Sequence, residues 1–260
     1  MDRERDRHVS HVCGGDLMFG PARVMLIGSG FNPDAYAGLV GDWLADDSVV
    51  SVGNITSIPT GGGTGGDLDA LGTVGYLAAG WDDGTPAAEF NNTSARAFYS
   101  SAGFGGAGVT TWRSFHVIDP DSIVATAPTQ AVSFVGSWAD GDLFGAQYLT
   151  SFNDGKIYRQ NIGYVGDLPV WVAAGPQVWC IERIGTAFEI FVDGVSVLAS
   201  TTDATASRAI TILGFTFDGI TPNADSMLNG KWKRTLHYEG AMSAGDRNAI
   251  SAALVDLYVP

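Results

Sequence analysis

The alternation of apolar and polar positions has the period of a β-strand along most of the chain and switches to a helical period only at the C-terminal end. In "VWCIERIGTAFEIFVDGVSVLAS", Phe188, Ile190 and Val192 alternate with Glu189, Phe191 and Asp193, as in a strand half-buried on one face. Asp193-Gly194 accepts the positive φ angles of a two-residue hairpin turn, and Val195 and Val197 resume the alternation. Val178–Ile184 reads as the preceding strand, reversed at Gly185-Thr186, so this segment alone predicts an antiparallel meander. The same period predicts strands over 96–100, 111–118, 130–138, 145–152, 156–164, 209–217 and 231–238. Turn signals punctuate them at Asp83-Gly84, Asp140-Gly141, Asp154-Gly155, Asp218-Gly219 and Asn229-Gly230.

The closing stretch "KWKRTLHYEGAMSAGDRNAISAALVDLYVP" contains the switch. Trp232, Arg234 and Leu236 alternate with Lys233, Thr235 and His237, and "EGAMS" then turns the chain. Ser243 stands at a helix N-cap, with Asp246 three residues on as its reciprocal partner. Ile250, Leu254 and Leu257 follow at helical spacing and form one apolar stripe, so a short amphipathic helix packs on the last strand. Residues 1–37 follow neither period. A charged run, "MDRERDRHVSHV", precedes an apolar stretch broken by Gly and Pro, which predicts an extended arm with one short strand near 23–27. The expected organisation is an arm over 1–37 and one domain over 38–260, with "SIPTGGGTGGDLDALGTVG" as a Gly-rich loop excursion.

The number and spacing of the strands describe a two-sheet antiparallel β-sandwich of jelly-roll type, an all-β fold. The hairpin "GTAFEIFVDGVSV" and the ending "LNGKWKRTLHYEGAMSAGDRNAISAALVDLY" resemble concanavalin A-like lectin/glucanase domains of the laminin-G-like kind. In that family a V-D-G hairpin precedes the last strand, then L-S-x-x-[ED]-R, then a terminal helix ending near Tyr. Ser243, Asp246, Arg247 and Tyr258 match it, and Trp43 and Asp46 in "GLVGDWLADDSVV" match the family's first strand. The resemblance implies a jelly roll with a C-terminal helix as its lid. Its motifs specify the fold rather than an activity.

Composition narrows the classes. Gly numbers 35 without a period of three, which excludes collagen and fits many tight turns. Asp far outnumbers Glu; Asp favours turns and Glu helices, so the bias fits a β-rich chain. The formal net charge of −14 repels nucleic acid and anionic lipid, so a general nucleic-acid role is not expected. No apolar run reaches the length of a membrane span, and the charged N-terminus has no apolar signal core. Cys13 and Cys180 are too few for a disulfide framework; cytosolic synthesis favours free thiols, and a single bridge between them stays open.

Candidate chemistry is sparse. Glucanases of this fold carry Glu-x-Asp-x-(x)-Glu on one strand face, whereas the only glutamates here are Glu4, Glu89, Glu182, Glu189 and Glu239. Glu189 and Asp193 read as a solvated strand face. Gly-x-Ser-x-Gly is absent, and "GGGTGG" lacks the Lys-Ser/Thr of a phosphate loop. His116 near Asp119 and Asp121 reads as a structural strand histidine, and His8, His11 and Cys13 as ordinary arm residues rather than a zinc site. Calcium is the cofactor with candidate ligands: Asp46, Asp47, Asp82 and Asp83, with Asp140 and Asp142 as further turn carboxylates. Trp81, Trp112 and Trp138 are the candidate sugar-stacking rings.

These features predict a non-enzymatic structural protein of a bacteriophage virion (capsid decoration, head fibre or tail), made in the host cytoplasm. Its arm would dock on other virion proteins in a multi-copy assembly, and its lectin-like domain would face solvent and host-surface glycans. A carbohydrate-binding module outside any virion is the alternative, and a glycan hydrolase or lyase the third reading.

Overall fold

The computed structural model describes residues 30–90, 96–104, 109–125, 130–136, 143–149, 152–159, 163–167, 175–202, 210–215 and 226–260. In chain order the strands are β1 (Leu39–Leu44), β2 (Val49–Ser51), β3 (Asn54–Ile58), β4 (Leu68–Leu77), β5 (Ala87–Phe90), β6 (Arg96–Phe104), β7 (Thr111–Ala125) and β8 (Gln130–Gly136). There follow β9 (Leu143–Leu149), β10 (Phe152–Arg159), β11 (Gly163–Asp167), β12 (Gln177–Ile184), β13 (Ala187–Val192), β14 (Val195–Thr202), β15 (Ile210–Phe215) and β16 (Ser226–Glu239). One helix, α1 (Ala244–Tyr258), closes the chain.

The strands form an antiparallel β-sandwich. Pairing runs β11-β10-β9-β8-β15-β6-β4-β5-β16-β7-β12-β13-β14, with β1 added to β16 and the β2–β3 hairpin to β4. Strand β16 is the hub. It pairs with β7 along its whole length, and its other edge is shared by β5 at Gly230–Trp232 and β1 at Arg234–Tyr238.

Both faces of the β7–β12–β16 region are buried, so its strands lack the simple in–out alternation of an edge sheet. One face meets Leu68 and Val74 of β4 and Phe98 of β6 in a core that includes Trp43, Trp179, Ile181 and Trp232. Phe98 and Trp232 lie 5.2 Å apart between ring centroids. The other face, Phe115, Val117, Val178, Cys180 and Leu236, is covered by Ile250, Leu254 and Tyr258 of α1. Burying each large side chain of that stripe contributes about 1.5–3 kcal/mol, which a single isolated helix could not supply by propensity alone. Ser243 caps the helix: its Oγ accepts from Asp246 N at 3.0 Å and donates to Asp246 Oδ2 at 2.8 Å.

Several sequence expectations shift. The compact unit starts at Phe31, and Tyr238 Oη donates to Pro33 O at 3.2 Å, so the arm expected over 1–37 gives up its last residues to the sandwich. The rest of it, with His8, His11, Cys13 and the strand near 23–27, lies outside the described residues. The single strand expected over 156–164 is instead the β10–β11 hairpin. Asp154-Gly155 lies within β10, where pairing with β9 slips, and Asn229-Gly230 lies within β16 at a register shift; neither pair turns the chain. The Gly-rich segment is no free excursion. Gly61 N donates to Asp42 O at 2.7 Å and Gly65 N to Val40 O, so the loop covers the edge of β1 that β16 leaves open. A Cβ on Gly63 would stand 2.2 Å from Val40 O, which explains why no side chain stands there.

Candidate functional site

The four aspartates offered as calcium ligands come from two turns. Asp46 and Asp47 belong to a 3-10 turn, Ala45–Asp47, that links β1 to β2, and Asp82 and Asp83 lie between β4 and β5. The structure places a protein cation where two of these segments meet. Lys233 of β16 is buried, and its ammonium donates to Asp46 Oδ1, to Thr85 Oγ1 at 2.6 Å and to Pro86 O at 2.8 Å. Those three acceptors match the three donors of an ammonium. Asp83 adds its field to Lys233, and its Oδ1 accepts from Thr85 N at 2.9 Å, which shapes the turn presenting Thr85. Burial lowers the pKa of Lys233, and Asp46 opposes that shift. Asp82 is exposed and Asp47 partly buried. Among the described residues no three His, Cys, Asp or Glu side chains converge as a metal-binding group.

A bulge makes this arrangement. Trp232 and Thr235 both face the inner core, and Trp232 Nε1 donates to Thr235 Oγ1 at 3.0 Å. The pairing of β16 with β7 shifts register between Trp232 and Arg234, so one extra residue sits in the strand and both intervening side chains point away from that core. Lys233 reaches Asp46. Arg234 reaches Asp42 of β1, Nε to Oδ1 and Nη2 to Oδ2, each at 2.8 Å, and its Nη1 donates to Tyr258 Oη at 3.2 Å. The sequence reading of β16 as a plain alternation missed both residues. The signal was present in "KWKR", three cations in a strand that is otherwise core.

Of the tryptophans, Trp81 and Trp112 are corrected from sugar platforms to core residues, each 3% exposed. Trp81 Nε1 donates to Tyr258 O at 3.0 Å and its ring meets that of Tyr258 edge-on, so it fastens the end of α1. Trp112 packs in the inner core, 5.8 Å from the His237 ring. Trp138, Asp140 and Asp142 lie outside the described residues.

The inner face of β7 and β16 also carries a buried polar row: Ser114, His116, Thr235 and His237. Thr235 Oγ1 accepts from Trp232 Nε1 and shares a hydrogen bond with His116 Nδ1 at 3.0 Å. Burial pushes His116 down to about 3; it does the same to His237, with the charge of His116 as a second cause. Both histidines are neutral structural groups at ordinary pH. Asp119 pairs with Lys231 at 3.3 Å.

On the helix side, Glu182 stands between two guanidinium groups. Arg113 Nε pairs with its Oε2, and Arg247 Nη1 donates to its Oε1 at 3.3 Å. The Arg247 guanidinium carbon lies 3.8 Å from the centroid of the Phe191 ring. Burial raises the pKa of the Cys180 thiol nearby, which keeps it protonated and unreactive, and Cys180 is a free cysteine. The buried carboxylates Asp42, Asp119 and Glu182 are each engaged by Arg or Lys. Glu189 accepts from Ser196 Oγ at 2.7 Å, and Asp193 Oδ1 accepts from Val178 N at 2.7 Å.

No protein-family model matches the chain, and no curated protein matches it in sequence. Solved structures match it in fold. Domain 4 of AbnA, a GH43 extracellular arabinanase from Geobacillus stearothermophilus in complex with arabinotriose, superposes with a TM-score of 0.58 at 14% identity, over 83% of this chain and 99% of that one. Trypanosoma rangeli sialidase in complex with sialic acid gives a TM-score of 0.57 at 11% identity, over 86% of this chain. The chain spans 34% of that sialidase. The binding domain of Paraclostridial Mosquitocidal Protein 1 gives 0.54 at 9% identity, over 82% of this chain and 52% of that one. At these identities the likeness is one of fold, and it agrees with the concanavalin-like sandwich.

Proposed function

We propose that this chain is a non-catalytic carbohydrate-binding module. The observation that carries the reading is the match to domain 4 of AbnA: 99% of a domain solved with arabinotriose corresponds to 83% of this chain. The sialidase likeness points toward the same ligand class. The chemistry of the described residues fits binding better than hydrolysis, because the buried carboxylates are held by Arg and Lys rather than paired across a cleft. Calcium binding at Asp46 would have to displace the Lys233 ammonium, which favours a calcium-independent mode of sugar recognition. The virion reading draws on residues 1–37, of which 1–29 lie outside the described residues, and these neighbours lend it nothing.

The test is a glycan array on the full chain followed by calorimetry with arabinotriose, both in calcium and in chelator. Binding of one glycan class with equal affinity in the two buffers supports the proposal. No binding to any glycan at millimolar concentration would sink it.

A further inference from the structure

The β2–β3 hairpin carries three of the exposed large apolar side chains among the described residues. Strand β2 pairs with β3 and, among the described residues, with no other strand, so there its second edge is open to a further strand. Val49 is 49% exposed, Val50 39% and Val52, at the tip, 96%. Val52 also holds a φ of 51° beside Gly53 at 77°, a left-handed pair that suits Asn-Gly and strains a β-branched side chain. The sequence keeps an aliphatic residue where an exposed turn gains nothing from one.

The surroundings carry one sign of charge. Between Arg23 and Arg96 the chain contains no lysine, arginine or histidine. Asp46 and Asp47 lead directly into β2. Asp67 and Asp69 are exposed, and Asp69 lies in register with Ser57, which in turn lies in register with Val49. The two cations that reach in from β16, Lys233 and Arg234, are engaged by Asp46 and by buried Asp42.

We propose that the edge of β2 docks a cationic, extended polypeptide segment of a partner, which adds as a further antiparallel strand. Main-chain pairing supplies the register, Val49, Val50 and Val52 supply apolar contact, and the aspartates select basic side chains. A second copy of this chain is disfavoured, because it would bring its own Asp46 and Asp47 to the same edge. The inference stands whether or not glycan is bound.

The experiment titrates the full chain into two labelled hexapeptides, one alternating lysine with valine and one alternating glutamate with valine, and reads fluorescence anisotropy. The lysine peptide binds and the glutamate peptide does not. Raising salt from about 0.01 M to about 0.15 M, which shortens the Debye length from about 30 Å to about 8 Å, weakens binding by about tenfold or more. A V49S/V50S/V52G variant, whose glycine suits the turn, loses about tenfold in affinity; D47K, which leaves the valines in place, turns the preference away from lysine. Absence of binding at millimolar peptide, equal binding of both peptides, or unchanged binding by the valine variant overturns the proposal. So does a dimer in light scattering that V50K dissociates, which would assign the edge to a second copy.

Discussion

Arg234 and Asp42 face each other as a planar fork, Nε to Oδ1 and Nη2 to Oδ2 at 2.8 Å, deep between β16 and β1. Burial works against the charge on Arg234, but the Asp42 carboxylate outweighs it and lifts the guanidinium pKa. Removing one partner leaves the other charge buried and uncompensated. Asp42→Asn is expected to destabilise the fold by about 3–5 kcal/mol, read as a lower urea midpoint, while the double change Asp42→Leu with Arg234→Met recovers most of the loss. A loss under about 1 kcal/mol for the single change would show that water reaches the pair.

Arg247 joins the helix to the sandwich in two ways, by the hydrogen bond to Glu182 and by its position over Phe191. Arg247→Ala is expected to weaken the fold by about 2 kcal/mol, a charged hydrogen bond plus a cation–π contact. Hydrogen exchange localises the effect: amides of Ala244–Tyr258 should speed up more than those of β7 and β12. Arg247→Lys should not rescue it, since an ammonium lacks the planar fork. Uniform acceleration across the domain would contradict a helix-docking role.

His116 and His237 make the fold acid-sensitive. Each has a folded pKa of about 3 against 6.5 unfolded, so the unfolded chain binds protons that the folded chain refuses. Their contribution is intact above about pH 6.5 and declines as pH falls toward about 3, at up to about 1.4 kcal/mol per pH unit for each ring. Urea midpoints measured from pH 7 to pH 4 should fall steadily, and His237→Gln should flatten the slope. A midpoint independent of pH between 7 and 5 would mean that these rings are not held neutral.

Val52 is a site where the native residue works against its own turn. Val52→Asn, keeping Gly53, should relieve a left-handed strain of about 1 kcal/mol and raise Tm by about 2–4 °C. A fall in Tm would show that the valine earns its place by packing within the domain.

What could be read from the sequence was local. Asp193-Gly194 turns as expected because nothing else competes for it: Asp193 has a φ of 49°, Gly194 of 78°, and Asp193 N donates to Val178 O. Asn229-Gly230 has the same turn chemistry, yet β7 and β5 claim the backbone on both sides and keep it in strand. The N-cap at Ser243 and the stripe of Ile250 and Leu254 were legible because a helix end and a helix face each fit within a few residues. The site was not legible. Whether an aspartate pair holds a metal depends on what arrives opposite, and Lys233 arrives from 187 residues away through a bulge that alternation does not encode. Trp81 read as a ring free to stack on sugar, but its indole is claimed by Tyr258, 177 residues on.

The hub position of β16 has a consequence for synthesis. Strands β1, β5 and β7 all pair with a segment, Ser226–Glu239, that follows them in the chain. A nascent chain therefore leaves the ribosome with three edges awaiting a partner not yet translated, among them the apolar run of β7. The Gly-rich loop, whose contacts to Val40 and Asp42 are local, covers only the opposite edge of β1, so the edge that takes β16 stays open during that interval. One late strand joins β1, β5 and β7, so a chain stopped before residue 226 lacks the strand that ties them together, however intact its earlier hairpins.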